Sequence, residues 1–171
     1  MKSNKIVFQV LNADYTNLLL EYYSDNKDHL EIWHPTTPKD FYTFKYQKSK
    51  VEERIHLMSK RESMHILMLD KAQTKMIGHC NYTKIKDGRC WLGYSIAKEF
   101  EGKGLMYEAI KQTANFMFNN YAITEIRAGI LPHNHRSKKL VERLDFKYID
   151  EPDKLEINGK LWTYDTYLLS L

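Results

Sequence analysis

Two glycines stand between a predicted strand and a predicted helix near the middle of the chain. Residues 92–106 read LGYSIAKEFEGKGLM, and Gly102 and Gly104 lie near the end of this stretch. Glycine tolerates positive φ angles and lets a ligand approach the main chain closely. The first N–H groups of a helix have no helical acceptor, and the helix dipole is positive there, so they bind anions. We therefore predict a cradle for a pyrophosphate group, formed by the main chain of Gly102, Lys103, Gly104, Leu105 and Met106.

Two other phosphate-binding motifs do not fit this stretch. A P-loop requires Gly-x-x-x-x-Gly-Lys-Ser/Thr, but here Lys103 precedes the last glycine and no hydroxyl residue follows it. The dinucleotide fingerprint requires a third glycine where this chain has Tyr107. The stretch therefore favours an anion cradle over a nucleotide-hydrolysing loop, with an ordinary turn as the alternative.

The strand before the cradle also contains a glycine, Gly93. A glycine within a strand indicates a bulge or a place where another chain or a ligand comes close. A bulge here would open the sheet and free the main-chain groups of Tyr94, Ser95 and Ile96. An extended ligand that carries amide groups could pair with them as an added strand would, and their N–H groups are candidates for stabilising an oxyanion.

A second candidate site lies at the start of the helix that follows Pro132. Asn134 is a favourable capping residue, and Ser137 falls in the first turn of that helix. A hydroxyl group there could donate a proton to a leaving group, since a helix N-terminus favours a nearby negative charge, or it could only supplement the cap. His133 and His135 flank Asn134, but two histidines at this spacing are poor metal ligands without further partners. We expect no metal.

Periodicity along the chain predicts both strands and helices. Strands are predicted at residues 5–11, 65–69, 76–85, 89–96, 124–131, 154–157 and 162–169. Helices are predicted from Asp14, as the capping residue, to Ser24, from Phe41 to Arg61, after Gly104 and after Asn134. The helix after Gly104 has one predominantly apolar side, formed by Met106, Ala109, Ile110, Thr113, Ala114 and Met117. This order predicts a mixed α/β fold with helices packed on a central sheet.

The composition is typical of a folded protein. The chain has 171 residues, of which 43% are hydrophobic and 28% are charged, and this length suits one domain over residues 1–171. No apolar run approaches the roughly 20 residues that span a bilayer, and the first residues lack the apolar core of a signal peptide. We therefore expect a cytoplasmic protein with no membrane partner. The net charge of +4 is too small to indicate a dedicated nucleic-acid-binding protein.

The two cysteines, Cys80 and Cys90, flank a predicted hairpin turn at residues 86–88. Pairing across this turn puts Cys80 near Tyr94 and Cys90 near Lys84, so that the sulfur atoms are roughly 13 Å apart. A disulfide requires a much shorter separation. We therefore expect both thiols to be reduced.

The cradle and the strand before it resemble the acetyl-CoA site of the GNAT N-acetyltransferases. That family's loop reads Gln/Arg-x-x-Gly-x-Gly/Ala, and residues 99–104 read EFEGKG, with Glu99 in place of the usual first residue. If Glu99 points inward it would repel a pyrophosphate group, whereas an outward orientation would matter little.

A second segment, GILPHNHRSKKLVERLDF at residues 129–146, is similar to the family's closing strand and helix, in which Asn-x-x-Ser precedes a helix that ends in Gly-Phe. Asn134, Ser137 and Phe146 match this pattern, and Asp145 stands where glycine is usual. Asp adopts the left-handed conformation more readily than most residues.

Within the family, four segments resemble the Rim-type (RimJ/RimL) ribosomal-protein-alanine N-acetyltransferases, and the RimJ group most of all. They are LGYSI, GKGLMYEA, LPHNHRS and the Asn-Gly-x-x-Trp segment at residues 158–162. The segments at residues 32–35 and 41–42 also resemble the N-terminal region of that group. The resemblance covers nearly the whole chain and is strongest over residues 78–146.

The resemblance implies one GNAT domain, with a mixed, mostly antiparallel sheet that is splayed near a strand bulge and flanked by helices. It also implies acetyl-CoA as the cosubstrate, and no metal. The implied coenzyme-binding residues belong to the cradle, the open strand edge and the second helix start: Tyr94, Ser95, Ile96, Gly102, Lys103, Gly104, Leu105, Met106, Asn134 and Ser137.

The resemblance also implies catalytic roles. Many family members carry a tyrosine, the general acid, seven residues after the matching Asn, but this chain has Val141 there, which favours Ser137 as the acid. Glu156 lies beside the segment where Rim-type enzymes place a carboxylate, and it is the candidate base, acting through water. An apparent one-residue insertion before Trp162 leaves its register open, and a solvent-facing strand residue is an equal alternative for Glu156.

The Rim-type resemblance implies that the acceptor is a protein or peptide N-terminus, with ribosomal proteins as the candidate class. An α-amine with a pKa near 8 needs only a weak base, whereas a lysine with a pKa of about 10.4 needs a strong one, and few strong bases lie near the cradle in the sequence. Trp33 and Tyr42 would line a slot for the extended acceptor.

Two alternatives to this acceptor stay open. One is a small amine such as a polyamine or an aminoglycoside, which the slight excess of lysine over acidic residues at positions 25–50 disfavours. The other is a non-catalytic module that binds the coenzyme or RNA.

Overall fold

A computed structural model describes residues 6–33, 36–157 and 159–171. The strands are β1 (Val7–Val10), β2 (Met64–Leu69), β3 (Met76–Lys86), β4 (Arg89–Ile96), β5 (Glu125–Ile130), β6 (Lys147–Ile157) and β7 (Lys160–Ser170). The helices are α1 (Thr16–Asp25), α2 (Lys27–Leu30), α3 (Phe44–Ser59), α4 (Leu105–Tyr121) and α5 (His135–Arg143), with short 3₁₀ turns at Ala13–Tyr15 and Lys98–Phe100.

The strands of the described residues form one sheet in the order β1-β2-β3-β4-β5-β7-β6. Every neighbouring pair is antiparallel except β4 and β5, which run parallel. The predicted mixed, mostly antiparallel sheet with flanking helices is confirmed. None of the helices in the described ranges has the length and apolar character needed to cross a bilayer.

The sheet opens between its two parallel strands. β4 and β5 pair at three positions, from Arg89 with Glu125 to Trp91 with Arg127. Beyond Trp91, β4 continues to Ile96 paired with β3 alone. The main-chain groups on the β5 side of this outer part of β4 therefore have no strand partner among the described residues, which confirms the predicted splay.

A bulge at Gly93, which the sequence predicted, does not cause this opening. The register of β3 with β4 runs evenly across Gly93, which faces Asn81. The shift in this register lies nearer the hairpin turn, between Thr83 and Lys86. Because β3 holds the outer part of β4 in regular register, the sheet opens where the pairing with β5 stops.

Each helix layer has its own apolar core. One cluster packs α4 and α5 against strand residues such as Tyr82, Leu92 and Ile126. A second cluster packs α1 and α3 against Leu67 and Leu69 of β2. The predicted apolar side of α4 is confirmed, because all six of its residues are buried. The α4–α5 layer therefore carries both the cradle and the second helix start.

Two helix starts differ from the prediction. The cap of the first helical turn is Asn12, whose side chain accepts a hydrogen bond from the N–H of Asp14, so Asp14 is not the cap. The helix predicted from Phe41 begins at Phe44, because the Thr43 hydroxyl caps it. In both cases the residue that caps is the one whose extended backbone lets its side chain turn toward the following N–H groups.

The start of β6 also differs from the prediction. β6 begins at Lys147, whereas alternation predicted a strand only from residue 154. Its pairing with β7 shifts register between Ile149 and Asp153, and the shifted stretch contains Pro152. A proline cannot donate to the ladder and is accommodated at such irregular positions, so the first half of the strand lacks the regular alternation.

The β3–β4 hairpin and the end of α5 follow the prediction. Asp87 and Gly88 form the turn with φ angles of 49° and 76°. Cys80 lies opposite Tyr94, and both cysteines are buried free thiols. Asp145 has a φ angle of 66°, the left-handed conformation that its place after α5 requires.

His65 of β2 is a titratable residue that the fold buries, with 4% of its surface exposed. Burial, together with the positive charge of Arg54, lowers the pKa of His65 to about 4. An unfolded chain would hold this pKa near 6.5. As the pH falls from about 6.5 to 4, the unfolded state therefore takes up a proton that the folded state does not, and the folded state loses stability.

We predict that His65→Gln reduces this loss. The wild-type free energy of unfolding should fall by up to about 3 kcal/mol more than that of the variant between pH 7 and pH 4. Denaturant unfolding at several pH values measures the difference. His56→Gln is the control, since His56 is exposed on α3, and it should keep the wild-type slope. Equal slopes for wild type and His65→Gln would contradict the prediction.

Candidate active site

The predicted cradle lies at the start of α4. Gly104 immediately precedes the helix with a φ angle of 75°, and Gly102 has a φ angle of 71°. No described atom lies within 4 Å of the position that a Cβ would take at either glycine. The first main-chain bond of the helix runs from the N–H of Glu108 to the Gly104 carbonyl, so the preceding N–H groups have no helical acceptor. The main chain here is open to an anionic ligand.

The other cradle residues differ in what they can offer a ligand. The side chains of Leu105 and Met106 are buried in the core, so these two residues offer only main-chain groups. The Lys103 ammonium lies 5.1 Å from the centre of the Phe100 ring. It is therefore held beside the loop by a cation–π contact.

Acidic side chains around the cradle are paired with bases. Glu99, which departs from the family pattern, forms an ion pair with Lys75 and is 57% exposed. Glu101 forms an ion pair with Arg136 of α5 and lies 3.5 Å from the Nε2 atom of His29. These partners offset the negative charge that would otherwise oppose a pyrophosphate group.

The open edge of β4 contains the three residues that the sequence predicted. Ser95 directs its hydroxyl away from this edge, to the Tyr22 hydroxyl and to Nε2 of His79, at 2.8 Å each. Ile96 pairs with Gly78, where a Cβ would meet the Ser95 carbonyl oxygen at 2.4 Å. In the β3–β4 ladder the Ala97 N–H donates to the Ile77 carbonyl, and the Ser95 carbonyl oxygen lies against Gly78, so the main chain of Ser95 faces β3. Because hydrogen-bonded and non-hydrogen-bonded pairs alternate along an antiparallel ladder, Tyr94 and Ile96 offer their main-chain groups to a ligand at the open edge, and Ser95 does not.

The start of α5 brings Asn134 and Ser137 together as predicted. The Asn134 side chain accepts a hydrogen bond of 3.1 Å from the N–H of Ser137. The Ser137 hydroxyl is hydrogen-bonded to the hydroxyl of Tyr94. Burial raises the pKa of Tyr94, and the bond to Ser137 partly offsets this. Ser137 is thus fixed at the opening between β4 and α5.

Sequence reasoning missed the side chain of Tyr94, for which only main-chain groups were predicted to act. The signal was the alternation of β4, which puts Tyr94 on the same side as Leu92 and Ile96. That side packs against α4 and α5. A hydroxyl at this position therefore points toward the helix that carries Ser137.

The structure does not join the candidate base to Ser137. Glu156 is exposed on β6 and pairs with Leu161 of β7. Within the part of the chain that the structure describes, no hydrogen bond or ion pair connects Glu156 with Ser137. The carboxylates that contact the first turn of α5 are instead Asp165, in an ion pair with Lys138, and Glu101, in an ion pair with Arg136.

Three aromatic rings from separate segments meet beside Asn134. The Trp33 ring stacks on His133 with the centroids 5.5 Å apart, and the His133 ring lies 4.7 Å from that of Trp162. We call Trp33, His133 and Trp162 the aromatic stack. The sequence predicted a substrate-binding role for Trp33 but missed His133 and Trp162, because their contacts join residues far apart in the chain.

Tyr42, the second residue predicted to line the acceptor slot, lies outside the aromatic stack. Its hydroxyl donates to Oε1 of Glu31 at 2.8 Å, and the Lys27 ammonium lies 4.9 Å from its ring centre. Burial and the Glu31 carboxylate raise the pKa of Tyr42 to about 12. The predicted slot also includes His34 and Pro35, and the predicted β6–β7 turn includes Asn158; these three residues lie outside the described ranges.

The histidines near Asn134 form no metal cluster with neighbouring residues. Across the described ranges, no group of three or more His, Cys, Asp or Glu side chains is arranged to hold a metal ion.

Comparison with known proteins identifies the family. Residues 6–147 match the acetyltransferase (GNAT) domain. The chain belongs to the GNAT acetyltransferase family. The predicted resemblance and the predicted class of enzyme, an N-acetyltransferase, are thereby confirmed.

This GNAT chain has relatives of known name. It is 26% identical over 150 residues to the [ribosomal protein uS5]-alanine N-acetyltransferase of Escherichia coli, covering 86% of this chain and 77% of the relative. Its fold matches the ribosomal-protein-S5-alanine acetyltransferase of Vibrio fischeri with a TM-score of 0.93 and 24% identity, over 99% of this chain and 95% of the other.

A second similar structure contains the coenzyme. RimL, a ribosomal L7/L12 α-N-protein acetyltransferase in complex with coenzyme A, matches with a TM-score of 0.87 and 16% identity. The match covers 99% of this chain and 96% of that one. GNAT structures of this fold therefore bind CoA.

We predict that Gly104→Val removes most of the rise in melting temperature that acetyl-CoA produces in the wild type. A ligand that binds only the folded state stabilises it, and a branched side chain at this position would block the approach to the main chain. Thermal unfolding with and without acetyl-CoA measures the shift.

Gly159→Val is the matched control for this measurement. Gly159 has a φ angle of 73°, and no described atom lies within 4 Å of its Cβ position, so a valine there causes the same kind of backbone strain away from the cradle. This variant should keep the wild-type shift. If Gly104→Val also keeps it, the coenzyme binds elsewhere.

Proposed function

We propose that this GNAT enzyme transfers the acetyl group of acetyl-CoA directly to the N-terminal α-amine of a protein, with both substrates bound together. The observation that carries the proposal is the position of Ser137 beside the unpaired edge of β4. Asn134 binds the main-chain N–H of Ser137, and Tyr94 binds its hydroxyl. We propose further that residues 1–171 act as one domain. The support is a single sheet that runs from Val7 to Ser170.

The cradle and the edge of β4 fit acetyl-CoA. Space at the Cβ positions of Gly102 and Gly104, and unpaired N–H groups at the start of α4, suit a pyrophosphate group. The free main-chain groups of Tyr94 and Ile96, on either side of Ser95, suit the amides of the pantetheine arm, which would add to the sheet as a strand does. These residues, with Lys103, Leu105, Met106, Asn134 and Ser137, are the proposed coenzyme site.

The reaction forms a bond between the acceptor nitrogen and the acetyl carbon and breaks the bond between that carbon and sulfur. Main-chain N–H groups of β4 are the proposed donors to the oxyanion that develops in between. Ser137 is the proposed general acid, which gives its proton to the departing sulfur. The N-terminus of α5 favours negative charge on that sulfur.

The attacking amine must lose a proton. An α-amine with a pKa near 8 is partly neutral at physiological pH, so a weak base suffices. Glu156 is exposed, which suits a base that passes the proton to solvent through a water molecule, and we retain it as the proposed base. Removing the Glu156 carboxylate should lower kcat less than removing the Ser137 hydroxyl, because an α-amine needs little deprotonation.

The aromatic stack is the proposed wall of the acceptor site. Its His133 ring belongs to the residue directly before Asn134, so the stack stands beside the acid, and rings that are only partly covered can pack on an extended peptide. Trp33 lines this wall together with His133 and Trp162, and we propose that Tyr42 borders it through Glu31. The names of the E. coli relative and of RimL support a ribosomal protein as the acceptor, which the enzyme would meet in the cytoplasm.

We predict that Ser137→Ala lowers kcat by about ten- to a hundredfold and changes the KM for acetyl-CoA little, because the acid acts mainly in the transition state. Steady-state kinetics with a free N-terminal peptide measures both constants. Ser137→Thr, which keeps the hydroxyl group, should retain more activity than the alanine variant. An alanine variant with lower melting temperature but wild-type kcat would mean that Ser137 only caps the helix.

We predict that the enzyme acetylates the α-amine of peptides that begin with Ala or Ser, and does not acetylate lysine in N-blocked peptides. At pH 7.4 only about a thousandth of a lysine side chain is neutral, so it needs a strong base. Fragment mass spectrometry locates the acetyl group, and reactions without enzyme measure the non-enzymatic background. Acetylation of lysine alone, or only of an added polyamine, would contradict the proposed acceptor.

A further inference from the structure

The Tyr94 side chain spans the opening of the sheet. Tyr94 belongs to β4, and its partly buried ring packs in the core that α4 and α5 share. Its hydroxyl reaches across to the Ser137 hydroxyl in the first turn of α5. The open edge of β4 and the proposed acid are thus joined by two hydroxyl groups in direct contact.

The hydrogen atoms of this pair have only one arrangement that serves the reaction. A serine hydroxyl has one hydrogen to donate and two lone pairs that accept. If Ser137 donates to Tyr94, its hydrogen is not available to a ligand. If Tyr94 donates to Ser137, the serine hydrogen is free to point elsewhere, while the N–H of Ser137 stays bound to Asn134.

The surroundings favour Tyr94 as the donor. Burial raises the pKa of its phenol, so the phenol keeps its hydrogen throughout the physiological pH range. The groups that act on its titration are Ser137 and the Cys80 thiol of β3, whose own pKa is raised by burial to about 12. Neither group carries charge at neutral pH, so no formal charge beside the phenol competes for its hydrogen.

We propose that Tyr94 is a positioning residue for acetyl transfer, which donates its hydroxyl hydrogen to Ser137 Oγ and thereby directs the serine hydrogen at the departing sulfur. This inference rests on the proposed role of Ser137. As the bond between carbon and sulfur breaks, its electron pair stays on sulfur and takes the serine proton. The hydrogen bond from Tyr94 stabilises the negative charge that develops on Ser137 Oγ. The proton that the acceptor amine loses passes to solvent, a proton from solvent restores the serine hydroxyl, and Tyr94 remains protonated throughout.

Tyr94→Phe tests the proposal, because it keeps the ring in the core and the main chain at the coenzyme edge. The variant should lower kcat by about ten- to a hundredfold and leave the KM for acetyl-CoA unchanged. In the Ser137→Ala background the same change should have no further effect on kcat, since the residue through which it acts is gone.

Tyr82→Phe is the matched control. Tyr82 belongs to β3, its buried ring lies in the same core, and its hydroxyl is bonded to Thr113 of α4 at 2.8 Å. The control therefore removes another tyrosine hydroxyl bonded to a helix hydroxyl from this core, away from the open edge of β4. It should lower the melting temperature and leave kcat at the wild-type value.

A substitution that preserves the fold provides a second measurement. Replacing Tyr94 with 3,5-difluorotyrosine keeps the ring and hydroxyl but lowers the phenol pKa. The alkaline decline in kcat should then begin at a lower pH than in the wild type, because an ionised phenol cannot donate to Ser137. An unchanged profile would overturn the inference.

The outcomes separate the inference from the proposed function. If Ser137→Ala keeps the wild-type kcat, the acid role of Ser137 fails and the inference fails with it. If Ser137→Ala lowers kcat but Tyr94→Phe does not, the proposed function stands and the inference is overturned. A loss in Tyr94→Phe that is equally large in the Ser137→Ala background, or is matched by Tyr82→Phe, also overturns the inference.

Discussion

The early end of the pairing between β4 and β5 is the constraint on which the site depends. A strand in a sheet normally has partners on both sides, and its main-chain groups are costly to leave unsatisfied away from water. Here the parallel pair stops at Trp91 while β4 continues to Ile96. The unpaired groups lie at the surface of an opening, where a chain-like ligand can complete the ladder. The site thus lies where the pairing of two strands stops, and the side chains around it determine the shape of the opening.

What holds the opening at its width is a set of contacts between side chains. Tyr94 meets Ser137, Glu101 meets Arg136, and the aromatic stack closes the side nearest the β6–β7 hairpin. Each contact joins an element before the opening to one after it, or joins loops that flank it. Such contacts are individually weak, so the loss of one of them would alter the opening without disrupting either apolar core. Ligand binding therefore depends mainly on the contacts around the opening, whereas folding depends mainly on the two apolar cores.

Local chemistry in the sequence predicted much of the fold and half of the site. The apolar side of α4, the Asn134 cap and the left-handed Asp145 are set by neighbouring residues, and each agrees with the structure. The aromatic stack and the Tyr94 side-chain contact join residues that are 29 to 100 positions apart, and no local pattern encodes them. The prediction of a bulge at Gly93 was wrong because it relied on a local signal alone. Glycine permits an irregularity but does not require one. The opening instead arises where the pairing of β4 with β5, a strand distant in the sequence, ends.

The three-pair seam between β4 and β5 also has a mechanical consequence. The sheet of the described residues consists of two half-sheets, β1–β4 and β5–β7, which main-chain pairing joins along this seam and through the adjoining bonds from the N–H groups of Thr124 and Glu125 to the Gly88 carbonyl. Ile96 lies five residues beyond the seam, or roughly 17 Å along the strand. A rotation of about 4° of one half-sheet against the other would move its outer end by about 1 Å, by lever-arm geometry on that strand length. A displacement of that size between reacting groups changes rates by about a hundredfold. We therefore expect residues that fasten the two half-sheets together to affect the catalytic rate, even where they touch neither substrate.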